Sequence, residues 1–448
     1  MGRTKRRITL ALLLALVVVF PAKIVATSPP DIVIVMVDDL GAIDDRVLER
    51  LPNIKSLFLD NGLHFAEYYS ETPLCCPSRA SFLTGQHTRR HHVTYNDARL
   101  LNPHRTLFTA LKDVGYQTAL IGKYLNKVER LSDKTPPGYD HTVLMKTLPV
   151  GGTSTGWFVD GADATGGYVD RVVLNESMAW VRRLDPGRPF ALWATPRAPH
   201  FARPVDWPRP WVPLVEDRYR DDPRCSGIEP WQPPAYTYLR KPDGFPLQLV
   251  CESLLTVDEM VGGLRHELER QGRSPIWVFA SDNGMAYGWH GYPAKNVPEA
   301  GRVPLYFSGP GVVHGTSNAL LSNIDLGPTL AQLAGAAMPW ADGKPFTGLL
   351  EGRGGGRQWM LEDHPRGGRT FRAFDGTFWG IRTPTWHLVA REFDGRWFVA
   401  LYDLKNDPWE QHDVKAGNLE VARSLRSLLP YLWHSRGWRH RALHGTSD

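Results

Sequence analysis

Cysteine is scarce in this chain, with 4 among 448 residues. No Cys-x-x-Cys or His-x-x-His spacing occurs, which argues against a zinc site built on those motifs and against a small disulfide scaffold. Basic residues form no run beyond the extreme N-terminus, and the formal net charge is only +5. Nucleic acid is therefore not an expected partner. No apolar stretch reaches the ~20 residues that a membrane-spanning helix needs. Internal repeats and low-complexity tails are absent as well. What remains is an ordinary globular composition, 42% hydrophobic and 22% charged, long enough for a substantial core and more than one domain.

Met1 to Arg7 form a basic head, Ile8 to Phe20 an apolar run, and Ala26 supplies a small residue. Together residues 1–26 read as a signal peptide, which puts the rest of the chain in a secreted or extracytoplasmic setting. An N-terminal membrane anchor is the alternative. Asn175-Glu176-Ser177 is a glycosylation sequon.

Asp31 to Val37 is a continuous, β-branched apolar run, as in a parallel strand buried on both faces. Similar runs recur at Gln117–Ile121, Pro189–Ala194, Ile276–Ala280 and Val303–Phe307. Helical spacing lies between them, at Leu107, Leu111 and Val114 before Gly115, and from Leu254 to Leu268 before Gly272. This alternation predicts an α/β fold, a large mixed, mostly parallel sheet sandwiched by helices. Residues 201–247, rich in Pro, Trp and Arg, read as a surface insertion near the mouth of the site. Beyond the Gly352–Gly356 joint, strand candidates at 371–381, 386–393 and 397–401 and a helix around 419–432 suggest a smaller α+β subdomain. The expected division is a catalytic domain over 31–350 and a C-terminal subdomain over 357–448.

Ligands and catalytic groups of such folds gather beyond the carboxyl ends of the strands. Asp38 and Asp39 follow the first run, Lys123 the second, His200 the third, and Asp282 and Asn283 the fourth. Adjacent carboxylates after a buried strand repel unless a cation neutralises them, and oxygen ligands favour Ca²⁺ or Mg²⁺ over Zn²⁺. Alternatively, one aspartate caps a turn while its neighbour faces solvent. The densest segment is Leu74-Cys75-Cys76-Pro77-Ser78-Arg79, followed by Leu83-Thr84-Gly85. Pro77 suits the first turn of a helix, so residue 75 falls where free N–H groups stabilise an anion. Read blandly, the cysteines are a disulfide half or small buried hydrophobes.

The Cys75 segment carries the pattern of the type I sulfatases of the alkaline-phosphatase superfamily. The resemblance extends to Ser281-Asp282-Asn283-Gly284, Val303-Pro304-Leu305, Ser322 to Thr329, and Leu401 to Pro408. The doubled Cys75-Cys76, His91-His92-Val93 and Gly122-Lys123-Tyr124-Leu125-Asn126 make it most similar to the N-acetylglucosamine-6-sulfatase and heparan 6-O-endosulfatase branch. That resemblance implies an alkaline-phosphatase-like fold and a sulfuric ester hydrolase whose nucleophile is formylglycine. Cys75 would be oxidised to it by a formylglycine-generating enzyme. It also implies Ca²⁺, with Mg²⁺ as the alternative, held by Asp38, Asp39, Cys75, Asp282 and Asn283. Arg79 and Lys123 become partners of the formylglycine hydrate, and His200 and Lys295 grip the sulfate and the leaving oxygen. His290 ranks behind these two.

One departure stands out. Many members have a histidine two residues after the lysine matching Lys123, where this chain has Leu125. The base for sulfate release is left open among His91, His92 and Asn126. With Cys75 converted, three cysteines remain, and the expectation is a Cys225–Cys251 bridge with Cys76 buried and inert. The expected substrate is a sulfate ester, with a sulfated saccharide such as glucosamine 6-sulfate suggested by the branch and by tryptophans over 193–231. The alternatives are a phosphodiesterase or phosphonate monoester hydrolase with the same nucleophile, and a non-catalytic secreted binding protein.

Overall fold

The computed structural model describes residues 29–42, 46–147, 154–202, 212–234, 236, 243–292, 295, 297–365, 377–393 and 396–429. The signal-peptide segment 1–26 lies outside them, and no helix among the described residues is long and apolar enough to cross a membrane. A ten-stranded sheet organises the molecule. In chain order its strands are β1 (Ile32–Val37), β2 (Leu63–Phe65), β3 (Gln117–Gly122), β4 (His141–Met145), β5 (Ser154–Val159), β6 (Ala162–Tyr168), β7 (Phe190–Thr195), β8 (Ile276–Ser281), β9 (Leu305–Ser308) and β10 (Gly315–Ser317). Their spatial order is β10-β2-β9-β8-β1-β7-β3-β4-β5-β6. The five central strands, β8 through β4, run parallel.

The periodicity of β1 explains why it sits at the centre. Val33, Val35 and Val37 enter one core, while Ile32, Ile34 and Met36 enter the core on the opposite face. Each fully buried side chain of this size contributes roughly 1.5–3 kcal/mol by leaving water. Helices α3 (Val169–Val181) and α4 (Gln248–Arg270) cover the first face. The other is covered by α1 (Cys75–Thr84), α2 (Leu107–Asp113) and α5 (Leu326–Leu333).

The run at Val303–Phe307 becomes β9, whose antiparallel pairing with β8 makes the sheet mixed, as expected. Other expectations need correction. Strands β5 and β6 have no strong sequence signal because β6 (Ala162-Asp163-Ala164-Thr165-Gly166-Gly167-Tyr168) is an edge strand largely facing solvent. The insertion at 201–247 is more than surface: Phe201, Val215, Tyr219, Cys225 and Phe245 belong to the core beneath α4. Cys225 and Cys251 do form a disulfide, with a Cα–Cα distance of 5.6 Å, tying that segment to α4. Residues 203–211, 235 and 237–242 lie outside the described residues.

A second, four-stranded antiparallel sheet follows: β11 (Met360–His364), β12 (Phe378–Arg382), β13 (Trp386–Phe393) and β14 (Arg396–Asp403). Helix α6 (Leu419–Arg426) packs on it through Leu425, against Leu388 and Leu401. The expected strand start at 371–376 and helix end at 430–432 lie outside the described residues.

This sheet buries a charged quartet. Arg382 donates to Glu362 at 2.7 Å and Glu410 at 2.8 Å, and His387 pairs with the same two glutamates at 2.9 and 2.8 Å. Burial pushes both acids up, but Arg382 and His387 outweigh it and hold each at about 2. Burial and Arg382 depress His387, yet the two glutamates leave it raised. The depressed acids stabilise the fold above the usual carboxylate range, a contribution lost as pH falls toward 2. The raised histidine stabilises below its unfolded value of ~6.5 and loses that contribution as pH rises through its higher folded value. Glu410→Gln should therefore destabilise by about 3–5 kcal/mol, most between pH ~5 and ~6.5. Denaturant melts across pH check this, and a variant as stable as the parent would refute it.

Candidate active site

Four chain segments deliver side chains to one end of the parallel strands. Asp38 and Asp39 leave β1, Lys123 leaves β3, His200 follows β7, and Asp282 and Asn283 follow β8. Residue 75 opens α1 from the side. The backbone is fixed by cross-links between these segments. Asp38 donates its N–H to the Ala198 carbonyl at 3.1 Å, and Asp39 its N–H to Asp282 Oδ1 at 3.2 Å. Asp39 has φ +69°, a conformation an aspartate tolerates better than most residues but that still costs energy. Such strain is kept where geometry is demanded.

The side chains form a dense alternation of charge. Lys123 Nζ donates to Asp38 Oδ2 at 2.5 Å. Lys295 Nζ reaches both Asp39 oxygens at 2.6 and 2.8 Å and Cys75 Sγ at 3.1 Å. Arg79 donates through Nε to Asp282 Oδ2 at 2.7 Å, and through Nη1 to Thr195 Oγ1 at 2.6 Å and the Lys123 carbonyl. Cys75 Sγ lies 3.7 Å from Asp38 Oδ1. Asn283 Nδ2 donates to Asp39 Oδ1 at 2.6 Å. Arg79, Asp38, Asp282 and Asn283 are buried almost completely.

Three carboxylates so close cannot all ionise without enough positive charge. Burial raises Asp39, with Lys295 opposing and Asp38 reinforcing. Burial likewise lifts Asp282 to about 6, against the pull of Arg79. Asp38 escapes: Lys123, His200, Arg79 and Lys295 together overcome its burial and hold it well below the usual range. Asn283 Oδ1 is buried without a hydrogen-bond partner among the described residues. Atoms of Asp38, Asp39, Cys75 and His200 lie within 4.8 Å of one another. Two carboxylates raised by burial although each is paired with a cation, an orphaned amide oxygen, and carboxylate and amide oxygens as donors fit a divalent cation such as Ca²⁺ or Mg²⁺.

His200 Nδ1 lies 2.6 Å from the Phe201 carbonyl and 3.1 Å from Arg197 Nη2. Its Nε2 faces Asp39 Oδ2 at 3.4 Å. Burial, opposed by Asp38 and aided by Arg197, Lys295 and Lys123, holds this histidine well below its ordinary value. Burial pushes the Cys75 thiol up to about 11, even beside Lys123 and Lys295. As a thiol, residue 75 would be almost wholly un-ionised at neutral pH and a poor nucleophile.

All nine sequence-derived candidates thus meet at one place. The secondary ones do not. His290 Nδ1 is engaged by Glu299 Oε1 at 2.8 Å. His91 is paired with Ser81 at 3.0 Å and held near 3 by burial. Asn126 contacts Cys76 Sγ at 3.3 Å, and His92 is exposed. Among the described residues, none of His91, His92 and Asn126 hydrogen-bonds to Cys75, Asp38, Asp39 or Asp282. Trp193 is a core residue against Phe82 and Phe108 rather than a stacking platform. Thr195, which accepts from Arg79 and donates to the Lys123 carbonyl at 3.0 Å, was not anticipated. Its place as the last residue of a buried strand was the available signal.

A family model described as "Sulfatase" matches residues 30–336. The N-acetylglucosamine-6-sulfatase of Capra hircus is 26% identical over 460 residues, covering 86% of this chain and 80% of that one. The choline-sulfatase of Rhizobium meliloti (strain 1021) is 26% identical over 445 residues, covering 86% and 82%. A protein solved in complex with its substrate, D-glucosamine-2-N,6-O-disulfate, superposes with a TM-score of 0.68 at 22% identity, covering 90% of this chain and 97% of that one.

Proposed function

The chain belongs to the sulfatase family and is a sulfuric ester hydrolase, and from that premise we propose that it cleaves a sulfate ester of a saccharide, using formylglycine at position 75 and a divalent cation. The observation that carries this reading is the meeting of residue 75 with three buried carboxylates and three buried or half-buried cations. Asp38, Asp39, Asp282, Asn283 and residue 75 would hold the cation, Ca²⁺ in preference to Mg²⁺. The cation would supply the positive charge that lets all three carboxylates ionise and would draw electron density from a sulfate oxygen. The formylglycine hydrate would supply the attacking oxygen, together with a second oxygen through which sulfate is later released.

Within this reading Lys123 and Arg79 orient residue 75 and neutralise charge around it. Lys295, already 3.1 Å from the residue 75 side chain, binds a sulfate oxygen. Losing one such donor typically costs on the order of 10²–10³ in rate. His200 becomes a strong acid once its Nε2 is protonated, suited to the departing oxygen. The substrate class rests on the glucosamine-directed relatives and on a structural neighbour bound to a glucosamine disulfate. A formylglycine-generating enzyme would be the maturation partner, and the compartment would be extracytoplasmic.

Mass spectrometry of the peptide spanning residues 71–89, from protein made in its native host, is the first test. The expected product is lighter by the difference between a CH₂SH and a CHO side chain; an unmodified cysteine throughout would overturn the reading. Activity on glucosamine 6-sulfate should exceed that on an aryl phosphodiester, and the reverse ranking would favour the phosphodiesterase alternative.

A further inference from the structure

His200 is held by the loop that follows β7, and yet its ring is fixed from behind. Two groups outside the site do this. Asp170 sits in the first turn of α3, almost fully buried. Its Oδ1 accepts the Arg197 N–H at 2.5 Å, and the carboxylate also takes the Ala198 N–H. The same turn accepts Asp38 N–H on the Ala198 carbonyl and closes on itself through His200 N–H to the Arg197 carbonyl at 2.9 Å. One buried carboxylate therefore clamps a helix on the outer face of the sheet to the turn that touches β1 and carries His200.

The second group is the Arg197 guanidinium. Its Nη2 lies 3.1 Å from His200 Nδ1 and donates to the Phe201 carbonyl at 3.3 Å, the oxygen that also lies 2.6 Å from His200 Nδ1. It stabilises the carbonyl that fixes the ring's rotation, and so keeps Nε2 directed at Asp39.

We infer that Asp170 and Arg197 are positioning residues that act through His200: Asp170 fixes the turn, and Arg197, with the Phe201 carbonyl, fixes the rotation of the imidazole. The inference rests on the sulfatase reading only for its kinetic consequence. Displacement of a reacting group by about 1 Å can cost ~10²-fold in rate. On matured, cation-loaded, full-length enzyme, Asp170→Ala should lower kcat for a sulfate ester by ~10²-fold with little change in KM. Asp170→Asn, which still accepts the Arg197 N–H, should restore most of that loss. In a His200→Ala background, Asp170→Ala should add less than ~2-fold, because its effect has nothing left to act through.

A second readout does not need turnover. With histidine labelled by nitrogen-15, the His200 ring nitrogens should give a single set of resonances in the parent, and shifted or broadened ones in Asp170→Ala and in Arg197→Met. The inference is overturned if Asp170→Ala costs the same factor with and without His200, or if the His200 resonances do not change. Should Asp170→Ala fail to fold, Arg197→Met carries the same cycle and spectra. A parent enzyme inert toward every sulfate ester would sink the proposed function, while the spectra would still decide the positioning claim.

Discussion

Cys75→Ala and Cys75→Ser are each expected to abolish sulfatase turnover, a loss on the order of 10⁴–10⁶-fold, with the fold intact. Residue 75 lies 3.1 Å from Lys295 and 3.7 Å from Asp38, so it is the atom around which the buried charges are arranged. Alanine removes the attacking oxygen. Serine is the more telling substitution, because it restores one oxygen where the hydrated aldehyde carries two. A serine hydroxyl at this position can attack but has no second oxygen through which to release the sulfate. Stability should change little in either variant, since serine and alanine fit the space of a cysteine at the start of a helix. The measurement is steady-state turnover alongside a thermal melt. A Cys75→Ala protein of parental activity would remove residue 75 from the chemistry altogether.

Removal of the divalent cation is the second large effect. Chelation should lower activity by at least ~10³-fold and lower the melting temperature as well. The reason lies in the same side chains: Asp39 and Asp282 are both raised, chiefly by burial and despite Lys295 and Arg79, so a bound cation would favour their ionised forms. A ligand that binds only the folded state stabilises by about 4 kcal/mol at 1,000 times its Kd. Ca²⁺ titrated into chelated protein should thus raise the melting point and be seen directly by calorimetry. Asp39→Asn should weaken that binding, since it replaces a charged ligand and releases Lys295 from its partner. An activity indifferent to chelators, with no heat on adding Ca²⁺ or Mg²⁺, would refute the cation site.

Much of this site was legible in the chain itself, for a physical reason. Strands buried on both faces are continuous apolar runs, and the polar residue that ends such a run lies at the strand's carboxyl end. Asp38, Lys123 and Asp282 are marked in that way. Arg79 was found through its segment, but its pairing with Asp282 could not be read, because 203 positions separate them. Asp170 gave no signal at all: an aspartate in the first turn of a helix is ordinary, and only tertiary packing turns it toward Arg197. The edge strand Ala162–Tyr168 was missed because half-exposed strands need no apolar run. The segment after residue 201 misled for the converse reason. Its scattered aromatic residues reach the core one at a time, anchored by the Cys225–Cys251 bridge.

Residue 75 is 1% exposed, at the base of a site roofed by Lys295 and His200. That burial sets an order of events in the life of the molecule. A formylglycine-generating enzyme of the proposed kind would have to hold the cysteine in its own active site, and a side chain 1% exposed is out of its reach. On the proposed reading, oxidation has to precede folding, while residues 71–89 are still an extended peptide. The helix beginning at residue 75 would then close over a product that can no longer be edited. A chain that folds too early would be native in shape and permanently inactive.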